Sequence, residues 1–190
     1  MALRIPTRRD ALLAAPTAVI LLLAGCGGPA ADVDGQPAPR AVLTDANVTS
    51  ILTTANNAEI GEAQLALTRS TDRSVREFAQ RMINDHSDAN QRLMQVAART
   101  GMRPDQTTDQ IQNSAQRARQ SLQVRTGADF DQAYITNQIN MHRWLLQTID
   151  QALLPAARDG RLEDLIETLR PTIVDHLQHA QRIQQQLERR

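Results

Sequence analysis

From Val48 to Leu187 the chain repeats one pattern, apolar residues three and four apart with polar residues between them. That spacing predicts helices that each bury one face. Advancing about 100° per residue from Val48, the residues Val48, Leu52, Ala55, Ala63 and Ala66 share a direction, and Glu59 and Glu62 fall among them. A second stripe from Val75 takes in Ala79, Met82, Ala89, Leu93 and Ala97, with His86 near its middle. His142 and His176 interrupt two later stripes in the same way. An ionisable residue on every long stripe makes the polar middle of this protein its first candidate site.

Capping and breaking residues set the expected ends. Thr44 or Asp45 caps a helix running to about Arg69, and Asp72 or Ser74 caps a second to about Thr100, ended by Gly101 and Pro104. Thr107–Val124 is a shorter and weaker amphipathic segment, with Ile111, Ala115, Ala118 and Leu122 on one face, closed by Gly127. Asp129 caps a long helix over Phe130–Ala157, apolar over a wide arc and expected to be the most buried. Arg158-Asp159-Gly160 turns into a last helix to about Leu187, which Pro171 should kink or restart. Long helices joined by short turns predict an all-α antiparallel four-helix bundle with a short extra connecting helix.

The first residues lack this pattern. Arg4, Arg8 and Arg9 precede an apolar run, Ala11–Ala24, and then Leu23-Ala24-Gly25-Cys26, which resembles a bacterial lipoprotein cleavage site. Residues 1–25 are therefore expected to be a signal peptide, with Cys26 lipidated as the new N-terminus. The apolar run is too short for a comfortable membrane span. Thr7-Arg8-Arg9-Asp10-Ala11-Leu12-Leu13 also resembles a twin-arginine export signal. Residues 26–43 read as a disordered tether rich in proline and glycine, and residues 44–190 as the bundle. Gly27 after the cysteine, rather than aspartate, implies the periplasmic face of the outer membrane. The expected partner is thus a membrane, through the lipid anchor.

Composition narrows the class. Aromatic residues are 2% of the 190, so the core is aliphatic and suits close-packed helices better than a β-sandwich. All basic residues are arginine, and beyond residue 25 there are 18 basic against 20 acidic residues. No clustered basic face remains for nucleic acid. Cys26 is the one cysteine, so no disulfide forms within the chain. No phosphate loop, CxxC pair or nucleophile triad is present, and no reaction is read from the sequence.

Several segments together carry a family resemblance: Ala55-Asn56-Asn57-Ala58-Glu59-Ile60, Phe78 through Asn84-Asp85-His86, Phe130-Asp131-Gln132-Ala133-Tyr134, and Arg170-Pro171 through Asp175-His176-Leu177-Gln178-His179-Ala180. Over roughly Asp45 to Gln184 the chain resembles the domain-of-unknown-function 4142 family. That resemblance implies a ferritin-like helical bundle in the bacterial envelope and no defined activity. Three residues before the buried histidines stand Ile83, Ile139 and Ile173, so the Glu-x-x-His pairs of di-iron bundles are missing.

Two readings of the polar middle follow. His86, His142 and His176 with Glu59, and Glu62 beside it, suit a divalent metal: Zn²⁺, Mn²⁺, Fe²⁺ or Cu²⁺. The plainer reading is hydrogen-bonded pairs such as Glu59 with His86, in a binding or structural module without a certain cofactor. Without Glu-x-x-His spacing, the pairs are the expected outcome. Side-chain atoms converging on one point would favour the metal instead. His179, Asp85 and Asp175 are expected to be solvated, and Tyr134 and Trp144 to serve packing.

Overall fold

The computed structural model describes residues 43–100 and 108–190. The signal peptide, Cys26, most of the tether, Gly101 and Pro104 lie outside the described residues. Among the described residues the chain is all-helical. Helix α1 spans Asp45–Arg69, α2 Arg73–Thr100, α3 Asp109–Gln123, α4 Gly127–Thr148, α5 Leu154–Ala156 and α6 Gly160–Glu188. None of these is long and apolar enough to cross a membrane.

Local chemistry explains the ends. Thr44 and Asn47 close a reciprocal capping box on α1. Asp72 accepts from the backbone N–H groups of Ser74 and Val75 at the start of α2, and Asp159 from that of Arg161 at the start of α6. Gly127, with φ of 57°, takes the left-handed position between α3 and α4.

Two expectations change. The helix read as Phe130–Ala157 starts at Gly127, so Asp129 lies in its first turn rather than capping it. Its far end is not a uniform α-helix, because Ile149–Leu153 widens into a π-helical turn before α5. Pro155 has no N–H to return to the Gln151 carbonyl, and the wider turn precedes it. Pro171 does not divide α6, which runs unbroken across it.

The four long helices pack in a ring: α1 lies beside α2 and α4, and α6 beside the same two. Two apolar clusters fill the ring. One joins the start of α1 (Val48, Leu52) to the end of α2 (Leu93), the end of α4 (Leu145) and the start of α6 (Leu162, Ile166). The other joins the end of α1 (Ala63, Ala66) to the starts of α2 and α4 (Phe78, Met82, Phe130, Tyr134) and the end of α6 (Ile183). Neighbours in the ring therefore run in opposite directions. Helix α3 lies against α1 and α4. Asn47, Ser50 and Asn56 of α1 are buried along with its apolar stripe, so α4 is not alone as the most enclosed helix. Arg119 of α3 reaches over Gly61, its Nη1 3.5 Å from where a Cβ would stand. Between the two apolar clusters lies the polar layer.

Candidate metal centre

Each long helix delivers one side chain to this layer: Glu59 from α1, His86 from α2, His142 from α4 and His176 from α6, all buried. Ring centroids are 5.9 Å apart for His86 and His142, 5.4 Å for His86 and His176, and 5.3 Å for His142 and His176. One nitrogen from each ring can be chosen so that all three lie within 4.8 Å of one another. Glu59 Oε2 is 2.5 Å from His86 Nε2, and Glu59 Oε1 is 3.3 Å from His142 Nδ1.

The hydrogen bonds outside this layer decide which nitrogens face it. His86 Nδ1 donates to Asn56 Oδ1 at 2.9 Å. The Asn56 amide is oriented in turn, its Nδ2 donating to Asn90 Oδ1 and Asn90 Nδ2 to Asn57 Oδ1, each at 2.9 Å. His142 Nδ1 donates to the Gln138 carbonyl one turn back at 2.8 Å. His176 Nε2 donates to Asp85 Oδ2 at 2.8 Å, and Asp85 is held by Arg81 Nε at 3.1 Å. With one N–H of His142 and of His176 thus engaged, the opposite nitrogen of each neutral ring carries a lone pair. His142 Nε2 and His176 Nδ1 are buried without a hydrogen-bond partner, whereas His86 Nε2 and Glu59 Oε2, 2.5 Å apart, are partners of each other.

Electrostatics sharpen the picture. Burial alone would raise the Glu59 carboxyl, yet the charge of His142 and His86 beside it brings it down to about 2. Burial lowers His142, against the pull of Glu59. Burial also lowers His176, to about 4, against its bond to Asp85. The layer therefore combines a carboxylate held ionised with two imidazoles, His142 and His176, whose charged forms burial disfavours. Bonds of about 2.0–2.1 Å to a shared ion would set ligand atoms no more than about 4.2 Å apart. Around a tetrahedral ion three such ligand atoms stand about 3.4 Å apart, so a pair at the 4.8 Å limit would close by about 1.4 Å.

Glu62 belongs elsewhere. It turns toward α4, where its Oε2 accepts from Asn137 Nδ2 at 2.6 Å and Gln138 Nε2 at 3.2 Å. Its Oε1 is buried and unpartnered, as are Gln138 Oε1 and the Tyr134 hydroxyl. Burial and the nearby Glu59 charge raise its carboxyl to about 7. Tyr134 packs between Phe78 and Phe130, in keeping with its expected packing role.

Asn56 and Asp85 are the residues that stripe analysis misses. Asp85, expected to be solvated, is 32% exposed and bonded to His176. Burial would raise its carboxyl, but His176 and Arg81 hold it below the usual range. Asp175 is half exposed and paired with Arg81 at 2.7 Å. His179 stays on the flank of α6, its ring edge-on to Phe78. Both act across helices, Asn56 on His86 and Asp85 on His176, so neighbouring positions in sequence gave no signal.

Fold and centre together define a class, a helical bundle with a histidine–carboxylate layer at mid-height. A family model described as Domain of unknown function (DUF4142) matches residues 29–183, and the chain belongs to that family. The match begins ahead of the bundle, inside the segment read as tether. No curated protein and no solved structure matches the chain.

Proposed function

We propose that this protein binds one divalent transition-metal ion at mid-bundle, with His86, His142, His176 and Glu59 as ligands. A single observation carries the reading: three buried imidazoles, with one nitrogen of each within 4.8 Å of the others, surround a buried carboxylate, and each ring is fixed from outside by a hydrogen bond. Buried acceptors without donors are costly, and a cation offsets all of them at once. Outer partners on ligating imidazoles are also the usual support of metal sites. Two neutral histidines and a fixed carboxylate suit Zn²⁺, Mn²⁺, Fe²⁺ or Cu²⁺. The competing reading, a Glu59–His86 pair that locks helix register, accounts for one of the three rings and leaves His142 Nε2 and His176 Nδ1 unexplained. The chain purified in detergent and stripped with chelator should take up about one ion. His142→Ala should take up none. Equal uptake by both proteins, or no uptake of any of the four ions, would sink the proposal.

We further infer an exported, lipid-anchored envelope protein, from the basic leader and Leu23-Ala24-Gly25-Cys26. The centre then works on the periplasmic face of the outer membrane, at the end of the tether. Cys26→Ser should remain unprocessed and incorporate no labelled palmitate. Normal maturation of that variant would remove the anchor from the account.

A further inference from the structure

A groove runs between the end of α2 and the start of α6, with a volume of about 260 Å³. Arg92 and Arg99 of α2 and Arg161 of α6 line it, together with a single carboxylate among the described residues, Asp164 of α6. Val96 and Leu165 supply its apolar part. Arg161 gives two N–H groups of its fork to Asp159, at 3.1 and 3.0 Å, and keeps Nη1 for another partner. Among the described residues, Arg92 and Arg99 make no ion pair, and neither does Asp164. Glu163 and Glu167 belong to other faces of α6, because about 100° per residue carries them away from Arg161, Asp164 and Leu165.

Helix polarity accounts for one of these arginines. Arg99 lies in the last turn of α2, whose negative end favours a cation. Arg161 lies in the first turn of α6, whose positive end favours an anion instead. From this arrangement we propose that the groove binds one phosphate group, held between Arg92 and Arg99 on α2 and Arg161 on α6. A guanidinium is a planar fork of donors that matches phosphate oxygens in pairs. One such fork fills a carboxylate, whereas a phosphate takes forks from both helices at once. Three arginines are too few to track a nucleic-acid backbone. The inference stands apart from the metal reading. Lipid headgroups and free phosphate share this chemistry, and the course of the chain favours the first. Asp45, at the start of α1, accepts from the backbone N–H groups of Arg158 and Asp159 at 2.7 and 3.1 Å. The segment that leads back to Cys26 therefore joins the bundle beside the residues that hold Arg161. Only that choice of source rests on the lipid-anchor reading.

The test titrates the full-length chain, in an uncharged detergent, with inorganic phosphate and separately with short-chain phosphatidylglycerol, following each by phosphorus NMR. One phosphorus bound per chain is expected, with the lipid at least tenfold tighter than the free ion. Arg92→Gln and Arg99→Gln together should weaken binding at least tenfold without changing the thermal melt. Asp164→Asn removes the carboxylate from the lining and should tighten binding severalfold. Arg117→Gln, at an exposed position on α3, should leave it unchanged. Equal affinity for the two probes assigns the groove to free phosphate and overturns the choice of a headgroup. A chain shown to lack the anchor would still bind inorganic phosphate here, so the two readings fail separately. No binding of either probe, or binding that the double variant leaves intact, overturns the proposal.

Discussion

Glu59 and Glu62 lie one helical turn apart on α1, and each is 1% exposed. Their carboxyls nevertheless move in opposite directions, to about 2 and to about 7. Burial acts on both in the same sense, so it cannot be the cause of the difference. Glu59 turns into a ring of imidazoles that can carry or recruit positive charge. Glu62 turns toward amide donors from α4, which satisfy one of its oxygens without supplying charge, and it feels Glu59 as a like charge. One carboxylate is thus kept ionised and ready for a cation, and its neighbour is kept near the point of losing its proton. What a buried acid does here depends on which two helices it faces.

The strongest way to break this comparison is to remove the imidazole nearest Glu59. With an ion present at about a hundredfold excess over Kd, the native chain gains about 2.7 kcal/mol from binding. His86→Ala should lose that gain and also leave a buried carboxylate short of a partner, a change of about 3–5 kcal/mol in such cases. Thermal melts with ion and with chelator separate the two contributions. Equal melts for both proteins under both conditions would show that Glu59 does not depend on His86.

Glu62 gives the next largest effect, and its sign is opposite to that of an ordinary ion-paired acid. Its folded pKa, about 7, stands above the ordinary glutamate value of 4.5. Between those pH values the folded chain keeps a proton that the unfolded chain has released, so stability falls as pH rises through this window. Glu62→Gln keeps an acceptor for Asn137 and removes the ionisation. It should match the native protein near pH 4 and exceed it by up to about 3 kcal/mol at pH 8. Urea unfolding at both pH values is the measurement, and a constant difference between them would show that Glu62 is not held protonated.

Outer partners come third. Asn56→Ala and Asp85→Ala should each weaken metal binding about 10–100-fold while leaving the stoichiometry unchanged, as read by calorimetric titration. Affinity unchanged in both would mean that the rings are held by packing alone. The smallest effect links the two acids. An ion neutralising Glu59 removes one of the charges that raise Glu62, so loading the centre should move the Glu62 titration downward. Carboxyl carbon NMR with and without ion tests this, and a shift upward would contradict the proposed charge balance.

Most of the bundle was readable from its stripes. Val48, Leu52, Met82, Leu93 and Ile183 are buried as their phase predicts, because helical phase depends only on local spacing. The same reasoning found the four converging side chains, since an ionisable residue on an apolar stripe must point inward. It could not separate Glu62 from Glu59. Phase gives a direction around a helix axis but not the identity of the neighbour in that direction, and that neighbour is α4 for one and the imidazole ring for the other. Asn56 and Asp85 were hidden for a related reason: they sit beside the stripe and act through a residue on it. The missing Glu-x-x-His spacing pointed toward structural pairs such as Glu59 with His86, and that pair is present at 2.5 Å, although each long helix brings one side chain to the same layer. The π-helical turn also escaped notice, because a single shifted hydrogen bond leaves the apolar spacing nearly intact.

If the layer binds an ion as proposed, one ligand per helix also has a consequence for how the chain assembles. Glu59 and His86 belong to the hairpin made early in the sequence, and His142 and His176 to the later one. Each hairpin can form by itself through contacts near in sequence, and such contacts form fastest. An isolated hairpin then holds half a centre, two side chains that grip an ion weakly. Full coordination appears only when the halves dock in the correct orientation and at the correct height. A slip of one turn moves a ring by about 5.4 Å and takes it out of reach. Tight capture is therefore the last event of folding, and an ion held firmly would mark a chain whose two halves have met in register.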